Sequence, residues 1–264
     1  MRVDLYLFNY GYVKSRQKAK SLIESDCVLI DGKVVDKPSY EINELASHNV
    51  EITDNCIYVS RGGLKLEAML NYAKLDINGK ICLDIGASTG GFTDCLLKRG
   101  ADKVYALDSG SNQLDIDLRN DPRVISIENF NARNNLGDVI NDKIDIITID
   151  VSFISQTLII PSALEILDEN GIYISLIKPQ FEVGKSGVGK GGIVKDKKYR
   201  KLAIQRVLEC AGSFGYFCNS IIKSPILGGD GNIEYLVVLS KNGSKLSIEK
   251  ILNIINNWWG YYEI

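Results

Sequence analysis

The chain has 264 residues, is 45% hydrophobic and carries a formal net charge of −2, enough for one large or two modest domains with a proper core. A slightly acidic chain excludes coating of nucleic acid through bulk charge, and charges interrupt every apolar stretch, so neither a secretion signal nor a membrane span is expected. Six cysteines without a C-x-x-C pair read as reduced core residues of a cytoplasmic protein, and a single histidine argues against a metal site.

Apolar residues recur at helical spacing over residues 2–10 (Val3, Leu5, Tyr6, Phe8), Gly11 stops the run, and Ser15 is placed to cap a second helix reaching Glu24. On that helix Ala19, Leu22 and Ile23 face inward, while Arg16, Lys18 and Lys20 face water. With Lys14 they make a basic run without an acid. Residues 27–30 and 33–35 flank Asp31-Gly32, a strong hairpin signal, and residues 50–59 supply further strand material. Two helices and a small sheet form a compact module ending near residue 59. Residues 58–70, YVSRGGLKLEAML, read as a joint. Gly62-Gly63 bends the chain, Ser60 is a plausible cap, and a helix carrying Lys65 and Glu67 begins near Leu64.

Residues 80–97, KICLDIGASTGGFTDCLL, read as strand, glycine turn and helix. Asp84 sits near the strand end, and Gly86, Gly90 and Gly91 allow a sharp turn and close approach of a ligand to backbone amides. The words compete with two others. Residues 86–90 fit the G-x-S-x-G elbow of hydrolases, but the one histidine, His48, lies upstream rather than after the serine. A dinucleotide fingerprint needs glycine where Ser88 stands, which favours a smaller nucleotide-like ligand. Asp108 ends the next apolar run, 24 residues after Asp84, where a carboxylate can take both hydroxyls of a ribose.

Beyond the glycine turn, strands are expected at 103–108, 124–128, 144–151, 172–178, 217–223 and 233–239, and helices near 111–119, 155–168 and 196–213. Such alternation means a parallel sheet covered on both faces, with ligands at the carboxyl ends of its strands. The loop joining the last two strands is too short for a crossover, so these pair antiparallel. Asp150 and Lys178 fall at strand ends, Glu234 at a strand start, and Lys65 on the helix before the first strand. Four charges at convergent positions point to proton handling. Residues 184–191 nearly spell a P-loop, yet Gly191 replaces the hydroxyl that would hold Mg²⁺. This stretch reads as a mobile basic loop beside Lys178, carrying Lys185 and Lys190, and not as an ATPase site.

Arg2-x-Asp4, Ser15-Arg16-x-x-Ala19 and Val28-x-Ile30-Asp31-Gly32-Lys33-Val34 resemble the small RNA-binding module named after the fourth small-subunit ribosomal protein; Ser25-Asp26 stand where that module usually has glycine and a basic residue. The order Lys65, Asp150, Lys178, Glu234 resembles the Lys-Asp-Lys-Glu tetrad of ribose 2′-O-methyltransferases of the FtsJ/RrmJ type. The words SRGGLKL, DIGASTGGFTDCLL, DVSFIS, KPQFE, VGKGGIV and DGNIEYL are similar to those of the TlyA family, rRNA cytidine 2′-O-methyltransferases often labelled hemolysins. The resemblance implies an α/β, Rossmann-like, seven-stranded methyltransferase domain (residues 71–264) after an S4-like RNA-binding domain (1–59) and a joint with its first helix (60–70). S-adenosylmethionine would be the cofactor, with no metal. Its contacts would come from Asp84, Gly86, Ala87, Ser88, Gly90, Gly91, Phe92 and Asp108. Lys178 would assist removal of the hydroxyl proton, aided by Lys65, Asp150 and Glu234. Ribosomal RNA or ribosomal subunits would be the partner, met by Lys14, Arg16, Lys18, Lys20, Arg61, Lys185 and Lys190. The alternatives are a membrane-damaging hemolysin and a non-catalytic assembly factor. The tail with Trp258-Trp259 and Tyr261-Tyr262 carries no usable motif.

Overall fold

Two sheets divide the chain, one of three strands and one of seven. The computed structural model describes residues 1–53, 57–242, 245–247, 249–251 and 253. The aromatic tail lies outside the described residues.

In the N-terminal module, α1 (Val3–Asn9) and α2 (Arg16–Glu24) pack over β1 (Val28–Ile30), β2 (Lys33–Val34) and β3 (Val50–Ile52), in the order β2-β1-β3. Ser15 caps α2 as expected, its hydroxyl accepting from the Lys18 N–H at 3.1 Å. Asp31 and Gly32 take φ of 52° and 74°, the paired left-handed residues of a two-residue hairpin. Val3, Leu7, Ala19, Ile23 and Val28 close a core with no exposed surface. Asp26 adopts φ 57°, so an aspartate supplies the left-handed turn that glycine would otherwise make. One expectation fails in this module. Cys27 is disulfide-bonded, while Cys82, Cys95, Cys210 and Cys218 are free thiols. The Cys27 carbonyl accepts from the Thr53 N–H at 2.9 Å, just after β3.

The joint also differs in detail. Helix α3 (Gly62–Ala73) starts before Leu64, with Arg61 rather than Ser60 at its N-cap. Ser60 cannot turn to cap because its hydroxyl packs where a Cβ on Gly91 would stand. Gly91 therefore lets two helices approach closely, and it also lines the cavity beside Phe92.

The large sheet runs β4 (Ile81–Ile85), β5 (Lys103–Leu107), β6 (Val124–Ile127), β7 (Ile144–Ile149), β8 (Leu167–Ile177), β9 (Phe217–Lys223) and β10 (Tyr235–Ser240), in the order β6-β5-β4-β7-β8-β10-β9. Its first five strands are parallel, and β10 pairs antiparallel with both β8 and β9. Helix α4 (Gly91–Lys98) joins α3 on one face. On the other lie α6 (Ile160–Ile166) and α8 (Lys197–Ser213). Two helices are shorter than the periodicity suggests. Asp115 caps α5 (Ile116–Arg119), and Pro161 restricts α6 to a start at Ile160, since proline fits only a first turn. A four-residue α7 (Pro179–Glu182) follows β8. Strand order reverses between β4 and β7, which opens a crevice at their carboxyl ends.

The module docks on this domain through α2. The Gln17 side chain donates to the Leu114 carbonyl at 3.0 Å and to that of Gln113, and Lys18 pairs with Asp115 at 3.2 Å. Arg16 turns to buried Asp4 at 2.8 Å. These two bases were expected on the RNA face. The structure turns them to carboxylates because Asp4 and Asp115, both nearly fully buried, need a cation nearby. Lys14 and Lys20 form no ion pair among the described residues, and Arg61 lies 3.4 Å from Asp26.

Candidate active site

Asp84 anchors the site from the end of β4. It is fully buried and accepts from the hydroxyls of Thr93 at 2.7 Å and Thr148 at 3.0 Å. Burial raises its pKa from 3.8 to about 7, and the nearby Asp150 charge adds to that, against the pull of the two hydroxyls. Folded, the carboxyl keeps its proton through pH values at which the unfolded chain has lost it. Its stabilising contribution is complete below pH 4 and lost as the pH rises through 7. The stability of the native protein minus that of Asp84→Asn should therefore fall by on the order of 4 kcal/mol between those limits in urea titrations. A flat difference would show that Asp84 is ionised throughout.

The turn after β4 uses its own amides. The Gly86 and Ala87 N–H groups donate to the Leu107 carbonyl, Ser88 N–H to Asp108 at 2.8 Å, and Gly90 N–H to the Ala87 carbonyl. The expected row of open amides over residues 86–90 is thus largely closed, and a ligand meets the turn by shape. Gly86 has φ 83°, and a Cβ there would collide with the Asp150 carbonyl oxygen, so only glycine lets β4 and β7 meet at this point. Asp108 binds main chain through both oxygens, taking Gly110 N–H at 2.7 Å as well. Each oxygen retains a lone pair for a ribose hydroxyl.

Two cavities meet here. One, of about 400 Å³, is lined by Leu107, Asp108, Phe130, Ile159 and Phe153. Apolar side chains with the Asp108 carboxylate among them can take a nucleoside, and Gly86 and Ser88 of the turn after β4 line the cavity toward Asp150. The second, of about 390 Å³, holds Lys65, Phe92 and Lys178, and is walled on its far side by Glu24, Asp36, Lys37 and Pro38 of the N-terminal module. Gly86, Ser88, Asp150 and Ser152 line both.

The four charged residues come together as two ion pairs. Lys178 Nζ stands 2.6 Å from Asp150 Oδ1 and donates to Ser152 Oγ at 2.9 Å. Lys65 Nζ stands 2.6 Å from Glu234 Oε2, with side chains 10% and 2% exposed. Glu234 precedes β10 and enters the site because β10 is inserted beside β8, whose end delivers Lys178.

Three residues of this site escaped the sequence reading. Phe153 takes φ 65°, is 92% exposed, and its ring lies 5.2 Å from that of Phe181. Ser152 holds Lys178. Asn232, fully buried, accepts from Val194 N–H and donates to the Gly192 carbonyl, both at 2.9 Å. It ties the basic loop to the approach of β10, and Lys185 and Lys190 project from that loop exposed. All three lie inside the words DVSFIS and DGNIEYL, but their roles are visible only once the loops meet.

Residues 58–241 match the FtsJ-like methyltransferase family, and residues 1–44 the S4 domain. The chain belongs to the FtsJ-like methyltransferase family. It is 46% identical over 241 residues, 89% of this chain and 98% of the relative, to "Hemolysin A" of Brachyspira hyodysenteriae. It is 40% identical over 238 residues, 90% of this chain and 89% of the relative, to the 16S/23S rRNA (cytidine-2′-O)-methyltransferase TlyA of Mycobacterium tuberculosis. A solved hemolysin-named protein from Streptococcus thermophilus superposes with TM-score 0.76 at 37% identity, covering 97% of this chain and 94% of its own. The FtsJ-like assignment and the S4 domain agree with the seven-stranded fold and the small module. No helix among the described residues is long and apolar enough to cross a membrane.

Proposed function

We propose that this chain transfers a methyl group from S-adenosylmethionine to the 2′-hydroxyl of a cytidine ribose in ribosomal RNA. The observation that carries the reading is the Lys178–Asp150 pair at the boundary shared by the two cavities. One cavity suits the cofactor and the other a nucleotide. The cofactor, when bound, supplies a methyl already activated on a positively charged sulfur. The protein's work is then alignment and proton removal. Asp108 would hold the cofactor ribose, and the turn at residues 86–88 its amino-acid end.

Lys178, held by Asp150 and Ser152, faces the boundary where the attacking hydroxyl would lie. It is the side chain placed to assist removal of the hydroxyl proton, and Asp150 fixes its position and balances its charge. Lys65 and Glu234 support the same rim from β10 and α3. The exposed Phe153 ring, in a left-handed backbone conformation next to Ser152, walls the cavity assigned to the cofactor. Lys14, Lys20, Lys185 and Lys190 are the bases without an acid partner among the described residues, and Arg16, Lys18 and Arg61 keep part of their side chains exposed for phosphates beside their acids. Ribosomal subunits place this activity in the cytoplasm.

The test is transfer of labelled methyl from S-adenosylmethionine to separated small and large ribosomal subunits, followed by alkaline hydrolysis of the RNA. Label is expected in alkali-resistant dinucleotides beginning with cytidine. Cofactor binding without transfer to either subunit would overturn the reading in favour of a non-catalytic assembly factor.

A further inference from the structure

The N-terminal module carries a stack of rings that its own core does not require. Tyr6, on α1, is 5% exposed and packs in the module's core. Tyr10 follows one helical turn later, and its ring stacks on that of Tyr6 with centroids 4.4 Å apart and planes at 29°. Gly11 then takes φ 76°, and the Tyr12 N–H bonds back to the Leu7 carbonyl at 2.9 Å. This reversal brings the Tyr12 ring to Tyr6 as well, at 6.2 Å and 21°. His48 closes the group edge-on at 5.9 Å. The outer rings of Tyr10 and Tyr12 stay 56% and 41% exposed. Two large aromatic rings left in water around one buried ring mark a contact surface. Lys14, two residues on, is exposed and forms no ion pair among the described residues.

We infer that Tyr10 and Tyr12 form a stacking platform for an unpaired RNA base, with Lys14 on the adjoining phosphate. This rests on the reading of RNA as the substrate. Three features favour a nucleobase over a protein partner. The rings are flat and within 30° of coplanar with Tyr6, which suits a base face. They are already held by Tyr6 and the Gly11 turn, so docking orders little that was free. The exposed Lys14 follows Tyr12 by two residues and supplies a positive charge for a backbone phosphate. The platform gives the module a contact with single-stranded RNA in addition to charge.

The experiment compares binding, at one salt concentration, to a hairpin RNA with an unpaired loop and to a fully paired duplex of equal length. The Tyr10→Ala/Tyr12→Ala protein should bind the hairpin about tenfold more weakly and the duplex within twofold of wild type. Tyr10→Phe/Tyr12→Phe should restore the hairpin affinity, because the ring and not the hydroxyl does the stacking. Both positions are exposed, and an unchanged circular dichroism spectrum confirms that the variants fold. Unchanged hairpin binding, or equal loss on both RNAs, overturns the platform while leaving methyl transfer to subunits intact. Unchanged RNA binding with lost sedimentation on subunits would assign the rings to a protein and overturn it too. A wild-type protein that binds neither RNA overturns the RNA reading together with this inference.

Discussion

Lys178→Ala should lower the rate of methyl transfer about a thousandfold, equivalent to about 4 kcal/mol of barrier, with cofactor affinity within twofold of wild type. The alanine leaves the glycine turn, Asp108 and the larger apolar cavity untouched, since Lys178 lines only the nucleotide side. It removes the group nearest the hydroxyl and leaves Asp150 without its cation. Lys178→Arg separates the two contributions. A guanidinium can still pair with Asp150, but it does not give up a proton in a protein and so cannot receive one. The arginine protein should fold with native stability and remain as slow as the alanine protein. Substantial transfer by Lys178→Arg would show that the cation acts by charge alone. Near-normal transfer by Lys178→Ala would remove Lys178 from the chemistry.

Glu234→Ala should cost about 3–5 kcal/mol of stability in urea unfolding, because it leaves the Lys65 ammonium uncompensated in a site where that side chain is 10% exposed. Lys65→Met should do comparable damage, since Glu234 is 2% exposed and would keep its charge without a partner. Replacing both, as Lys65→Met/Glu234→Leu, should recover most of the loss, because two apolar groups no longer pay desolvation. Activity should not return with stability. The double variant keeps the shape of the rim and lacks its field, so recovered stability with absent transfer assigns the pair to orienting substrate and Lys178. A loss under about 1 kcal/mol in Glu234→Ala would mean that solvent already screens the pair.

Much of the architecture is legible in residue order. The apolar run at residues 144–149, the Gly86 to Gly91 interruption and the Ser15 cap each report a local preference, and the structure forms a strand, a turn into a helix and a capped helix there. Helix ends were less legible where one residue outweighs a periodic pattern. Pro161 and Asp115 shortened two helices that apolar spacing alone would extend. The basic run at residues 14–20 shows a deeper limit. Nothing in its spacing reveals that Arg16 and Lys18 face buried acids, because Asp115 is brought to Lys18 by the docking of two domains. The glycine turn misleads similarly. Its residues are those of a ligand cradle, yet the amides of Gly86 and Ala87 are taken by a carbonyl of β5.

By itself, the sequence determined the α/β class, the two units, the turn that begins the cofactor side and the identities of four charged residues at strand ends, since these follow from local propensity and from where polar side chains interrupt apolar runs. Tertiary structure alone decided which lysine pairs with which acid. That choice depends on β10 entering between β8 and β9, which places Glu234 opposite Lys65 and leaves Asp150 to Lys178. It also decided that the N-terminal module walls the cavity holding Lys65 and Lys178, and that Tyr10 and Tyr12 both bring their rings to Tyr6. Partners far apart in the chain meet through sheet order and domain docking, and neither leaves a periodic trace in the residues themselves.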